Sequence, residues 1–260
     1  MTNRPYNHFT PNPLRPFLLE VAKGNVAGHS LVHKFGRNAA LPNGSWAFVV
    51  GLGLTAWPLS AATAVRVKAG DVADDAGGAG AREITVQGID DALAETSEAI
   101  TTNGVAASTA TTALFWRVHR AWVSSAGTYG AANTAAVVIE NGAGGTDLIQ
   151  IAVEEGQTQF AGWSVPLGKT AYLISASFTV DATKSADFRL FTRESLNDAT
   201  PPVASVRIRR YWDGVAGDLM YTPTSPELSC PALTDIWIEG YGNGAGVEAA
   251  ASFELLLVDD

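Results

Sequence analysis

Asp235-Ile236-Trp237-Ile238-Glu239 alternates polar and apolar side chains, the two-residue period of a strand with one wet and one buried face. Arg207-Ile208-Arg209 repeats the pattern. Strands of a parallel sheet, covered on both faces, read instead as unbroken apolar runs, so antiparallel pairing is expected. Outward from 235–239, β-favouring segments ended by turn residues recur at 45–50, 63–68, 82–88, 96–102, 114–124, 135–140, 147–153, 158–165, 170–180, 186–193, 203–211 and 247–258. Two more, 17–23 and 29–35, flank the turn-like Lys23-Gly24-Asn25. Asn103-Gly104 between threonines predicts a tight hairpin. Asn141-Gly142 opens a longer glycine-rich loop between the strands before and after it. The one helix expected, Asp90 to Ser97, clusters Ala, Leu and Glu behind a capping Asp. The expectation is an all-β, antiparallel β-sandwich over 17–260, with a jelly roll as one candidate topology and a small N-terminal subdomain ending near residue 68 as an option. Prolines at 5, 11, 13 and 16 predict an extended arm over 1–16.

The 260 residues carry 26 acidic and 17 basic side chains, a net charge of −9. Nucleic acid is therefore not an expected partner, because a phosphate backbone needs a concentrated positive field. The densest basic group, Arg207, Arg209 and Arg210, reads as a polar strand face. Cys230 is the sole cysteine, so neither an intrachain disulfide nor a thiolate metal cage is expected. The first residues lack a basic then apolar leader, so any release from the producing cell is expected to need another route, such as lysis. No run of about 18 apolar residues suggests a membrane span.

Candidate chemistry is sparse. Tyr241 to Gly246 and Gly77 to Gly80 are glycine-dense but precede no helix and no Lys-Ser or Lys-Thr pair, so the first reads as a hairpin loop and neither as a phosphate cradle. His29 and His33 share a face without a third ligand nearby, and His119 has no Gly-x-Ser-x-Gly nucleophile to serve. Asp74-Asp75 and Glu154-Glu155 match no spaced calcium loop. A glycosidase would need two carboxylates across a cleft, which sequence cannot place. Asn43-Gly44-Ser45 fits a glycosylation acceptor by chance alone. The seven tryptophans, 46, 57, 116, 122, 163, 212 and 237, are scattered, which suits core and subunit packing better than a sugar groove. No catalytic, cofactor-binding or metal-ligating residue is assigned, and the chain is not read as an enzyme.

Several phrases occur in order along the chain: Lys34-Phe35-Gly36-Arg37-Asn38, Gly78 to Ala81 leading into Ile84 to Asp90, Glu98 before Asn103-Gly104, and Arg117 to Ala121. Gly127 to Gly130 with Asn133, Ile151 to Gln159, Val165 to Lys169 and Thr234-Asp235-Ile236 follow. Together they resemble a family of virion structural proteins of tailed bacteriophages, frequent in viruses of aquatic bacteria. The resemblance implies a β-sandwich that assembles on the particle and supplies no catalytic residues to carry over. The expected role is a capsid decoration or cement protein, present as a homo-oligomer, a trimer or another closed ring, on the head of a virion assembled in the host bacterial cytoplasm. Its partners would be the major capsid protein or other virion proteins, with neither nucleic acid nor membrane. The alternatives are a tail-attached module that binds host glycans, with Trp163 as a test residue, and a minor coat subunit.

Overall fold

A computed structural model describes residues 16–51, 57, 59–130, 132–223 and 228–260. The expected arm over 1–16 lies outside these residues apart from Pro16. One short helix, α1 (Phe17–Ala22), precedes sixteen strands. These are β1 (His29–Leu41), β2 (Ala47–Phe48), β3 (Val65–Ala69), β4 (Ala81–Asp90), β5 (Glu95–Thr101), β6 (Phe115–Ala126), β7 (Val137–Asn141) and β8 (Asp147–Ile151). There follow β9 (Gly162–Ser164), β10 (Lys169–Val180), β11 (Ala186–Arg193), β12 (Arg207–Val215), β13 (Gly217–Tyr221), β14 (Ser229–Cys230), β15 (Asp235–Gly242) and β16 (Val247–Asp259).

All pairings between these strands are antiparallel. Sheet I runs β1-β16-β10-β13, with β14 also on β10, and sheet II runs β12-β11-β15-β2, with β9 also on β15. Sheets III and IV are β3-β7-β8 and β5-β4-β6. Four separate sheets are propeller-like in arrangement and replace the single two-sheet sandwich expected. They are not blades in chain order, because β1 lies along β16 from His29↔Val258 to Leu41↔Val247. The strands of residues 17–68 pair with distant ones: β1 joins β16, β2 joins β15 and β3 joins β7.

Two hydrophobic clusters hold the sheets together, and sheet II contributes to both. Leu190, Ile236 and Ile238 enter the first cluster with side chains of sheet I such as Phe178, Phe253 and Leu255. Phe191 and Trp237, their neighbours in sequence, enter the second with Val67, Ile139 and Val86 of sheets III and IV. Successive strand residues point to opposite faces, so one sheet serves two cores. This corrects the expectation of one wet face for 235–239: Asp235, Ile236, Trp237 and Ile238 are all buried. Arg207-Ile208-Arg209 departs in the other direction. It lies on edge strand β12, and Ile208 is 55% exposed.

Local signals failed where pairing overrode them. Residues 17–22 are helical and not a strand, because a short apolar run fits either period and the capping decides. Gly24 at φ +74° ends the helix, its N–H bonding Val21 O at 2.9 Å while Asn25 N–H bonds Glu20 O at 2.9 Å, the paired bonds of a Schellman motif. Residues 90–97 are not a helix. They turn β4 into β5, with Ala94 N–H donating to Asp90 Oδ1 at 2.9 Å. The ladder between those strands outweighs a small local propensity. Asn103-Gly104 is not a two-residue hairpin either, since the next strand, β6, lies on the far side of β4. Tyr241 to Gly246 leads from sheet II to sheet I and so joins two sheets instead of closing a hairpin. The 141–146 loop does join the paired strands β7 and β8 as expected.

Candidate functional site

The acidic pairs are occupied by the protein itself. Asp74 is fully buried and accepts backbone N–H bonds from Ala81 at 2.8 Å, Thr134 at 2.9 Å and Ala135 at 2.9 Å. Three backbone donors around one side chain suit a carboxylate and repel a cation. Asp75 accepts from Gly77 N–H. Glu154 takes the Tyr129 hydroxyl, and Glu155 takes Gln159 Nε2 at 2.6 Å. Among the described residues, no three His, Cys, Asp or Glu side chains cluster as metal ligands. His29 and His33 sit on β1, with His29 Nδ1 at 2.9 Å from Ala27 O.

Trp163, the test residue for a sugar groove, is fully buried against the His119 ring. It cannot stack on an external sugar. Trp57 and Trp237 are also buried, while Trp46, Trp116, Trp122 and Trp212 are half-buried. Cys230 is buried in the first cluster, and burial pushes its thiol up to about 12.

Exposed apolar side chains concentrate on two surfaces. One is formed by α1 and the start of β1, where Phe17, Leu18, Leu19, Leu31 and Phe35 are exposed and the Phe17 ring meets His29 edge-on. The other follows β12 and β13, the adjacent terminal strands of sheets II and I. Val206, Ile208, Tyr211 and Met220 are exposed there, Met220 by 74%. Arg207 and Arg210 are interspersed and exposed, and Arg209 is half-buried. Trp212 packs inward on Phe178 and Tyr221; Ile208 and Tyr211 lie on the other face of β12, opposite Phe191 and Arg189, and Met220 lies on the outer face of β13 opposite Ser177.

A third feature escaped the sequence reading. The β4–β6 ladder slips between Gln87↔Arg120 and Gly88↔Val118, leaving His119 as the unpaired extra residue. Its carbonyl accepts Lys34 Nζ at 3.0 Å, from a lysine that is itself buried. Such a bulge re-aims side chains and frees backbone groups. Burial, then the Arg120 charge, lowers the Lys34 ammonium to about 7, with Glu95 acting weakly the other way. Burial first, then Lys34 and Arg117, hold the His119 imidazole well below its ordinary value, and neither ring nitrogen has a hydrogen-bond partner among the described residues. Above the lysine lies a cavity of about 320 Å³ lined by His33, Lys34, Phe35, Arg120, Gln157 and Thr158.

No protein-family model matches the chain. No curated protein matches it by sequence. One solved structure is similar to it over 86% of each chain, the crystal structure of PBSX exported protein XepA, at 14% identity and a TM-score of 0.18. That likeness is too slight to argue fold or role.

Proposed function

We propose that the chain is a structural protein of a tailed-phage virion, a decoration or cement protein that forms a closed homo-oligomer on the capsid. The observation that carries this reading is the pair of open terminal strands β12 and β13. They combine exposed apolar side chains with arginines, and their outer edges pair with nothing among the described residues. Open edges of this kind invite association unless covered. On a chain of net charge −9, the exposed arginines and apolar side chains of these strands suit an acidic face of a second copy, and head-to-tail contact of this kind closes into a ring when the rotation between copies closes. The ordered phrases from Lys34 to Ile236 support a virion address. In this reading the two five-stranded sheets around the first cluster form the sandwich body.

Light scattering of the purified chain tests the assembly. Ile208→Lys with Met220→Lys should reduce an oligomer to a folded monomer. A wild-type monomer, or an oligomer indifferent to both substitutions, overturns the self-association. Imaging of intact particles tests the address, and copies confined to the tail overturn head attachment. Deletion of residues 1–16 should weaken particle binding without unfolding the sheets.

A further inference from the structure

We propose that the cavity between β1, β6 and residues 157–158 binds a small polar ligand carrying one carboxylate or phosphate, with Lys34 and Arg120 holding the anion. This does not depend on the virion reading. Two cations face one cavity, and neither forms an ion pair among the described residues. Lys34 spends one of its three donors on His119 O. Arg120 gives Nη2 to the neutral Gln157 Oε1 at 2.7 Å and lays its guanidinium 4.9 Å from the Trp122 ring centre. Neither partner is an anion, so both cations keep donors beyond these contacts.

Of the surrounding charges, only Glu95 partly offsets them. On β6, Arg117 is bound to Asp235 and His119 is neutral. On β1, His33 brings no negative charge, and Arg37 is tied to Glu248 and Glu155. Glu95 on β5 accepts from Gln87 and acts on Lys34 only through space. Glu155 is engaged by Arg37 and Gln159. A desolvated ammonium beside a guanidinium costs free energy that a bound anion offsets. The volume exceeds that of a lone ion and lies at the lower end of ligand pockets. Phe35 supplies an apolar wall, while Gln157 and Thr158 can hydrogen-bond hydroxyl groups. A ring bearing hydroxyls and one acidic group, a sugar acid or sugar phosphate, meets all of these contacts.

Because the anion needs a protonated Lys34, binding should tighten as pH falls toward 7 and weaken about tenfold for each pH unit above it. Calorimetric titration of the full chain with glucuronate, glucose 6-phosphate, inorganic phosphate and glucose tests the proposal. Glucuronate and glucose 6-phosphate separate the carboxylate source from the phosphate source, and either binding supports it. Arg120→Gln should weaken binding by about tenfold or more. Lys34→Met should flatten the pH dependence, and Lys169→Met, a remote exposed cation, should leave binding unchanged. Equal binding of glucose, binding of inorganic phosphate alone, equal loss in Lys169→Met, or no heat from any probe overturns it.

Discussion

Arg117 on β6 and Asp235 on β15 form a two-bond ion pair, Nε to Oδ1 and Nη2 to Oδ2 both at 2.9 Å, with neither side chain exposed. It ties sheet IV to sheet II through the second cluster. Ser164 Oγ donates to Asp235 Oδ1 at 2.6 Å, and Arg117 donates to the carbonyls of Leu196 at 2.7 Å and Trp116 at 2.6 Å. Removing one partner leaves the other charge buried and alone. Asp235→Asn or Arg117→Met is expected to cost about 3–5 kcal/mol in denaturant unfolding, and the double replacement less than the sum of the two.

Gly36 sits where β1 crosses two other segments. A Cβ there would lie 2.1 Å from Val49 O and 2.3 Å from Ala161 N, both backbone atoms. Gly36→Ala should therefore lower stability by about 1–3 kcal/mol, as an overpacked site does. Gly244→Ala, which meets no neighbouring atom and stands at no positive φ, serves as the comparison. Equal losses at the two positions contradict the crossing.

Asp74→Ala strips the acceptor from three backbone N–H groups and should cost about 3 kcal/mol or more by thermal melting. Asp75→Ala, which loses one exposed bond, should cost under about 1 kcal/mol. Calcium should not raise the wild-type melting temperature.

Stability should rise with pH through two windows. Folded His119 resists protonation while the unfolded chain takes a proton below the ordinary 6.5, so stability is lost as pH falls below that value. Folded Lys34 releases its proton near 7 and the unfolded chain only near 10.5, so stability increases from about 7 to 10.5, by a few kcal/mol at most. His119→Leu should remove the first slope and Lys34→Met the second, read from denaturation midpoints across the range. A flat profile in the wild type contradicts both.

Strand positions and antiparallel pairing were legible because alternation and turn residues are local properties. β3 to β8, β10, β11 and β16 lie close to where the pattern put them. The errors at 17–23, 90–97 and 103–104 share a cause: each segment's own preference was outweighed by a cap or by a ladder formed with distant residues. β13 and β14 escaped because their strand character depends on β10, which pairs with both.

The basic pocket was invisible for a related reason. Lys34, Arg120 and Gln157 carry no shared motif, and only the slip in the ladder at His119 turns a carbonyl toward Lys34. Phrases that looked like family markers proved to include structural keystones: Gly36 at the strand crossing, Arg117 and Asp235 in the ion pair, and Asn133 fully buried, donating to Ala152 O at 2.8 Å.

By itself the sequence determined an acidic, strand-rich chain with antiparallel sheets, since side-chain alternation and net charge require no partner to be read. Tertiary structure alone decided that Trp237 and Ile238 serve different cores, that Asp235 is a buried counterion and not a wet strand end, and that Ile208 faces outward. A strand presents the same alternation whether its second face meets water or another sheet. Only the packing of sheet II between two clusters distinguishes the cases.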